Sequence, residues 1–368
     1  MKLDGVRVID MSQFLPGPYL STIMADHGAD VIKIERPGGD PGREIGLGEH
    51  GNSIFFRNLN RGKRSVCLDL KDPAQLDAML LLCDQADVFI ESSRPGVAQR
   101  LGLGYETLVA RNPRLVYCSI SAFGQTGPYR ARPAHDLAVE AMAGAVSCNL
   151  GSDGNPVIPH VAVADLSAST LALSGVVMAL FRRHTTGRGD YIDMSMHDVM
   201  LASFPNVLGP TFAQKRPPDC RNERSWGGAA FYQIYATLDG RHVALGGQEP
   251  KFVRNLLRAW QREDLIPLCD QGPGAHQNVV IDYFRRMFRT KTQSEWIDWF
   301  KNLDVCFAPV KNLREAFDDP HAQARNMVLI DDFGGEHVAS PIKFAQEPGR
   351  PQLNVPKLGE HNREVIGS

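Results

Sequence analysis

Short apolar segments alternate with helical segments through the first third of the chain, and this alternation constrains the fold more than any other feature. Five segments have the length and β-branched content of buried strands. They are residues 6–10, 29–35, 65–70, 88–91 and 115–120. Helical patterns at residues 17–28 and 74–86 lie between them. Strands separated by helices of about 10 to 15 residues predict an α/β parallel sheet, in which ligands bind beyond the carboxyl ends of the strands.

A second pattern begins after a proline-rich stretch and indicates a smaller domain. A chain of 368 residues is long for one core, so two domains are expected. Two alternating runs around Asp239-Gly240 predict a β-hairpin, and three amphipathic helices follow it. We predict a large domain over residues 1–200 that is completed by 325–368, a linker over 201–224, a small α+β domain over 225–310 and a return linker over 311–324.

Charge and composition exclude several classes of protein. The formal net charge of −2 argues against a nucleic acid as the main partner. The N-terminus lacks the layout of a signal peptide, and no apolar run reaches the ~18 residues that a membrane span needs. The seven cysteines are dispersed and never in CxxC spacing, which favours buried thiols in a reducing compartment over disulfides or a zinc site. We therefore expect a cytoplasmic protein with no metal and no membrane partner.

Arginines recur in the loops that follow the predicted strands. Arg36 follows the second strand, Arg94 the fourth, and Arg100 comes a turn later. The guanidinium group can make two charge-assisted hydrogen bonds to a phosphate, and neighbouring glycines let the backbone approach an anion. The loop after the first strand contains no GxGxxG motif, which argues against a nicotinamide cofactor. A phosphate-bearing ligand of another kind is favoured.

Two titratable groups of different type lie at opposite ends of the segment 132–165. His135 stands beside Asp136 at one end, and Asp165 closes the other. Small polar residues after Asp165 can start a helix, and the apolar run 171–181 predicts that this helix is buried. A histidine and a carboxyl group brought together can perform acid–base chemistry. Each can equally be structural, with His135 bonded to a loop carbonyl and Asp165 an N-cap.

Seven segments, in this order, resemble the family III CoA-transferase superfamily (CaiB/BaiF type), which also contains the α-methylacyl-CoA racemases. They are GVRVIDMSQFLPGPY, GADVIKIERPGGDPGR, NRGKRSVCLDLK, SRPGVAQRLGLGYE, FGQTGPY, TGRGDYIDMSMHD and CFAPV. The resemblance covers nearly the whole length. It implies a Rossmann-like large domain, a small domain and an interlocked homodimer.

The resemblance also implies where coenzyme A binds, as part of an acyl-CoA substrate and without a further cofactor. The positions carried over to this sequence are Arg36, Leu70, Lys71, Arg94, Gly96 and Arg100. Three of them are the arginines already singled out by their places after the strands.

The resemblance leaves two reactions open, which differ in the residues they need. In the transferases, an aspartate at the position of Asp165 attacks the acyl-CoA and carries coenzyme A between two carboxylic acids. In the racemases, a histidine at the position of His135 works with that aspartate, and a glutamate before a proline matches Glu249. The chain resembles the racemases in these three positions, although Ala134 stands where they have glycine. A third possibility is a CoA-binding protein that has lost turnover.

The racemase reaction makes specific demands on these residues. One group must take a proton from carbon 2 of the acyl chain and another must return one on the opposite face. A neutral His135 can do the first, oriented by Glu249, and Asp165 needs a raised pKa to do the second. We expect Asp165 at a helix start with its own amide facing the thioester oxygen. Alternatively, Glu249 is a surface carboxylate that opens a helix at Pro250.

Overall fold

The computed structural model describes residues 1–49 and 51–367, which divide into two compact units. The first unit consists of Met1–Ala145, Ile158–Ser203 and Asp319–Ser368. The second consists of Val146–Val157 and Phe204–Asp318. Each has its own hydrophobic core, as expected for units of this size.

Strands and helices alternate along the first unit, and the second unit also contains both. In chain order the strands are β1 Arg7–Asp10, β2 Asp30–Glu35, β3 Gly48–Glu49, β4 Asn52–Ser53, β5 Arg64–Cys67, β6 Val88–Glu91, β7 Val116–Ser121, β8 Tyr191–Ser195, β9 Tyr232–Ala236, β10 His242–Gly246, β11 Phe307–Pro309, β12 Val328–Ile330 and β13 Glu336–Val338. The α-helices are α1 Pro16–Asp26, α2 Ile54–Asn60, α3 Pro73–Asp84, α4 Val97–Arg100, α5 Tyr105–Arg111, α6 Asp136–Met142, α7 Ala145–Cys148, α8 Val163–Thr186, α9 Met196–Ala202, α10 Gly209–Ala213, α11 Pro250–Ala259, α12 Ile266–Asp270, α13 Asn278–Phe288, α14 Gln293–Phe300, α15 Leu313–Phe317, α16 Pro320–Ala324 and α17 Asn362–Ile366. Short 3₁₀ helices occupy Pro41–Glu44, Glu263–Leu265 and Ala275–Gln277.

The core of the first unit is a six-stranded sheet in the order β5-β2-β1-β6-β7-β8, and every neighbouring pair in it is parallel. The predicted α/β class is confirmed. Read as positions along the chain, the order is 3-2-1-4-5-6, the order of Rossmann-like folds, with its switch point between β1 and β6. Ligands bind at such a point because the crossing helices leave on opposite faces of the sheet there.

Helix α8 differs most from the sequence prediction. It begins at Val163, ahead of Asp165, and runs for 24 residues. Its buried residues face α1, α6 and α9, but Leu171, Val177, Met178 and Phe181 are between 44% and 79% exposed. The expectation that the run 171–181 is buried is therefore wrong for the single chain, since only one face of the helix is covered.

Helix α8 also satisfies the length and composition of a membrane span, with a mean hydropathy of 1.7 over its most apolar stretch. A core helix of a soluble protein meets the same criterion, and the packing of α8 against three other helices accounts for part of its apolar character. The expectation that the protein has no membrane partner stays a prediction.

The second unit is built on the predicted hairpin. Strands β9 and β10 pair antiparallel, and β11 adds a third strand beside β10. Trp260, Phe284, Phe288 and Trp296 form an aromatic cluster in its core, with ring centroids 5.1 to 6.4 Å apart. Aromatic residues bury large areas and prefer such edge contacts, so this cluster stabilises the helices against the hairpin.

Candidate active site

Two cavities open beside the switch point, at the carboxyl ends of β1 and β6. One has a volume of about 480 Å³ and contains both His135 and Asp165, and we call it the His135 cavity. The other has a volume of about 410 Å³ and contains Arg36, and we call it the Arg36 cavity. They share the lining residues Gln13, Phe14, Ser92 and Ser93. The predicted catalytic residues and the predicted anion-binding arginine therefore line neighbouring cavities.

The loop after β1, which separates the cavities, is fixed by buried charges. Asp10 accepts hydrogen bonds from the Ser12 amide at 2.9 Å and the Ser21 hydroxyl at 2.6 Å, and forms an ion pair with Lys63 at 3.1 Å. Lys33 donates to the carbonyl oxygen of Ser12 at 3.0 Å. Burial alone would raise the pKa of Asp10, but Lys63, Lys33 and the serine hydroxyls lower it to about 2. The Asp10 carboxylate therefore stays ionised at neutral pH, and its hydrogen bonds and ion pair fix the conformation of the loop.

Phe14 lies at the tip of this loop in a strained conformation. Its φ angle of 62° falls in the left-handed region, which costs a non-glycine residue about 1–2 kcal/mol. The hydrogen bond from the Gln13 amide to the Ser92 hydroxyl, at 3.1 Å, joins the loop to the one after β6. The Phe14 ring meets the His135 ring edge-on, with centroids 5.7 Å apart. The strained loop thus limits where the imidazole can point.

His135 directly precedes α6 and is exposed to the cavity. Its carbonyl oxygen accepts hydrogen bonds from the amides of Ala138 and Val139, which begins the helix. The helix start fixes the backbone of His135, and the Phe14 ring contacts the imidazole. The imidazole is therefore accessible to solvent and to a ligand in the cavity.

Glu249 lies in the second unit, where it is exposed and directly precedes α11, with Pro250 at the first helical position. That local geometry matches the alternative in which Glu249 opens a helix. Its side chain makes no capping hydrogen bond. The interaction of Glu249 with His135 stays a prediction.

Asp165 is the third residue of α8 and lines the His135 cavity. Its position at a helix start agrees with the sequence expectation, but its amide does not face the cavity. The Asp165 amide donates to Oδ1 of Asp136 at 3.0 Å, so the expectation that it binds a thioester oxygen is wrong. The reason is that α6 packs beside the first turn of α8 and brings a carboxylate to it.

The pKa of Asp165 is raised from 3.8 to about 7, first by burial and then by the charges of Asp136 and Glu140. A helix N-terminus favours the ionised carboxylate by about 0.3–1 kcal/mol. This effect is smaller than the combined effect of burial and the two neighbouring charges. Near neutral pH the group is present in both forms. It can therefore donate a proton when protonated or attack a carbonyl when ionised.

Glu140 belongs to this cluster and was missed by the sequence reasoning. It is 2% exposed and accepts a hydrogen bond from the Val163 amide at 3.2 Å. Burial, a hydrogen bond with Asp136 and the charge of Asp136 raise its pKa to about 7. The signal that could have revealed it is its spacing, because residues four apart on a helix share one face and Asp136 is already part of the predicted pair.

Four of the six residues predicted to bind coenzyme A line one of the two cavities. Arg36, Leu70 and Lys71 line the Arg36 cavity, and Arg94 lines the His135 cavity. Gly96 precedes α4 with a φ angle of 83°, a conformation that favours glycine, and Arg100 is the last residue of that helix. Their role in binding stays a prediction.

Two arginines of the His135 cavity were not singled out from the sequence. Arg130 and Arg132 lie in the segment that leads to His135, and both line the cavity together with Arg94. The Arg132 guanidinium also lies over the Tyr129 ring at 5.8 Å. Three arginines beside a histidine and an aspartate make the cavity suitable for an anionic substrate or a developing negative charge.

The chain is similar to known proteins over nearly its whole length. A sequence model of CoA-transferase family III matches residues 3–362. The chain is 35% identical over 375 residues to an alpha-methylacyl-CoA racemase of Mus musculus, in an alignment that covers 100% of this chain and 93% of that protein. It is 34% identical over 389 residues to a succinate–glutarate CoA-transferase of Agrobacterium fabrum, covering 99% and 94%.

The fold has solved counterparts as well. The structure superposes on that of a CAIB/BAIF family protein from Brucella suis with a TM-score of 0.85 and 28% identity, covering 99% of this chain and 98% of that one. A racemase and a transferase are thus similar in sequence to this chain to nearly the same degree.

Proposed function

Because the chain belongs to CoA-transferase family III, we propose that it binds an acyl-CoA thioester and racemises a 2-methylacyl group at carbon 2 by 1,1-proton transfer. The observation that carries the proposal is that His135 and Asp165 line one cavity, with the pKa of Asp165 raised to about 7. A histidine and a carboxyl group that can hold a proton are thereby available in one cavity.

In one direction neutral His135 takes the proton from carbon 2, and the electrons of the broken C–H bond form the thioester enolate. Protonated Asp165 then gives a proton to the opposite face of carbon 2. The histidine is left as imidazolium and the aspartate as carboxylate, which is the state required for the reverse direction. Exchange of both protons with water resets the pair and brings solvent hydrogen into the product.

The enolate oxygen needs fixed donors while its charge develops. The first amides of α8 are not available, because those of Val163, Ala164 and Asp165 donate to Glu140 and Asp136. We assign this role to the arginines of the His135 cavity, whose charge suits an enolate oxygen: Arg94, Arg130 and Arg132.

The binding of coenzyme A is assigned by the same proposal to the Arg36 cavity and the loop after β6. Arg36 and Lys71 would bind phosphates, and Leu70, Gly96 and Arg100 complete the predicted set. The carboxylate proposed to orient His135 is Glu249. We propose a cytoplasmic enzyme that needs no metal or redox cofactor.

An interlocked homodimer is part of the proposal, and the surface of α8 supports it. Leu171, Val177, Met178 and Phe181 expose apolar side chains on one helix of the single chain. Contiguous apolar surface of this kind is usual where another chain packs. A second copy of the same chain would cover it.

The second candidate function is a CoA-transferase. It is favoured by the arginines beside Asp165, which suit the carboxylate of an acceptor acid. Ionised Asp165 would attack the acyl-CoA carbonyl, release the CoA thiolate and form a mixed anhydride. The thiolate would attack the aspartyl carbonyl, release the donor acid and leave an aspartyl-CoA thioester. The acceptor carboxylate would then attack this thioester and release the thiolate, which would attack the acceptor carbonyl of the new anhydride, so that the acceptor leaves as its CoA thioester and the Asp165 carboxylate is restored. His135 has no necessary role in these steps.

One experiment separates the two reactions. The protein is incubated in D₂O with one enantiomer of a 2-methylacyl-CoA, with and without an added carboxylic acid, and the products are analysed by mass spectrometry. Racemisation predicts deuterium at carbon 2 without the acid. Coenzyme A on the added acid, with no deuterium at carbon 2, would contradict the racemase and support the transferase.

A further inference from the structure

Glu140 is a buried carboxyl group for which the proposed reaction has no direct use. It lies one turn after Asp136 on α6, and that helix packs against α8. Glutamate is seldom buried without a partner, because removing its charge from water is costly. A buried glutamate this close to Asp165 therefore calls for a physical explanation.

Its hydrogen bonds place it at the first turn of the helix that carries Asp165. The Val163 amide donates to Glu140 at 3.2 Å, and the Asp165 amide donates to Asp136 at 3.0 Å. The residue that precedes α8, Ala162, has no side chain that could cap these amides. The two carboxyl groups of α6 thus replace a local cap and are fixed relative to Asp165.

Other titratable groups on the neighbouring elements have partners of their own. On α1, Asp26 is paired with Arg61, and on α9, His197 lies 3.5 Å from Asp198. The pKa of Tyr19 on α1 is raised by burial and by the charge of Asp26, and Arg61 opposes this rise. His27, just after α1, lies 3.2 Å from the Ser340 hydroxyl.

On the cavity side, Asp165 is accompanied by His135, Arg94, Arg130 and Arg132. The charges that dominate at Asp165 are nevertheless those of Asp136 and Glu140. Three carboxyl groups in one cluster cannot all ionise easily, since like charges disfavour one another at short range.

We propose that Glu140 is a positioning residue that, together with Asp136, holds the first turn of α8 and keeps Asp165 protonated near neutral pH through its negative charge. This inference rests on the proposed role of Asp165 in catalysis, but it concerns the protonation of that group and holds for either reaction. It makes Glu140 the residue that sets the pH range in which Asp165 can act as an acid.

The cluster then titrates as a unit. The pKa of Glu140 and that of Asp165 are both raised to about 7, so two carboxyl protons leave in separate steps near neutral pH. Glu140→Gln keeps an oxygen that can accept from the Val163 amide but removes the second charge. Asp165 then titrates without the negative charge that Glu140 carries once it is ionised.

The test is a ¹³C NMR titration of the full-length protein labelled at the side-chain carboxyl carbons of aspartate and glutamate. Asp165→Asn and Glu140→Gln identify the two signals. In the wild type, we expect both to titrate near neutral pH. In Glu140→Gln, we expect the midpoint of Asp165 to fall by about 1 pH unit or more. The exposed Glu106→Gln in α5 is the matched control and should leave it unchanged.

An unchanged Asp165 midpoint in folded Glu140→Gln would overturn the inference. If that variant does not fold, the wild type still decides, because an Asp165 signal that titrates below about pH 5 would show that the neighbouring carboxyl groups do not keep Asp165 protonated. Glu140→Asp, which retains a carboxyl group, should restore part of the shift. If the midpoint falls as expected but the wild type shows no deuterium exchange at carbon 2, the racemase proposal fails and the inference about Glu140 stands.

Discussion

The raised pKa of Asp165 predicts that replacing it by asparagine stabilises the protein, and more so at high pH. A carboxyl whose pKa is raised on folding contributes fully below its unfolded pKa of 3.8, and this contribution is lost as the pH rises through about 7. Asparagine has nearly the same shape and never ionises. The Asp165→Asn variant therefore avoids the loss that the wild type suffers.

The magnitude follows from the shift. One pKa unit corresponds to about 1.4 kcal/mol, so between about pH 5.5 and about pH 8.5 the wild type loses about 2 kcal/mol through this group. Partial exposure of Asp165 to solvent reduces the expected effect to about 1 kcal/mol. The stability advantage of Asp165→Asn should grow by that amount over the same interval.

Urea unfolding followed by far-UV circular dichroism at the two pH values measures the difference. Asp298→Asn, at an exposed carboxylate of α14, is the control and should show no such growth. An advantage that is equal at both pH values, or a wild type that is more stable than Asp165→Asn at the higher pH, would refute the reasoning about the carboxyl cluster.

Three further predictions concern coenzyme A, the loop after β1 and the dimer. Arg36→Ala should raise KM for the acyl-CoA with little change in kcat, and should not affect a substrate that lacks the nucleotide part; steady-state kinetics with both substrates checks this. Lys63→Met removes the ion-pair partner of the buried Asp10 carboxylate and should cost about 3–5 kcal/mol of unfolding free energy, which urea denaturation measures. Phe181→Asp places a charge on the exposed apolar face of α8 and should shift the protein toward monomer in light scattering, whereas the equally apolar but separate Leu81→Asp should not.

The sheet could be predicted from the sequence because its strands are nearly continuous apolar runs. In parallel sheets both faces are covered, and such runs are identified without knowledge of their partners. The order of the strands could not be predicted from these runs, since it depends on which helix crosses which face. The loops that contain Arg36 and Arg94 could be predicted as well, because each directly follows one of these strands in the sequence.

The start of α8 shows why the rest was not predictable. Its first amides are satisfied by Asp136 and Glu140, which lie more than twenty residues earlier in the chain. No local capping residue marks the boundary, so the helix was expected to begin after Asp165. The same tertiary contact turned the Asp165 amide away from the cavity. A buried glutamate in a helix also looks like a solvated one until its neighbours are known.

In the proposed reaction, His135 and Asp165 act as one acid–base pair. The most direct test of this role is the rate of deuterium incorporation at carbon 2 in D₂O, without any acceptor acid, by the wild type and by His135→Ala. We expect exchange in the wild type and a loss of at least about 100-fold in the variant. Equal rates of exchange in the two proteins, or no exchange in the wild type, would contradict this role.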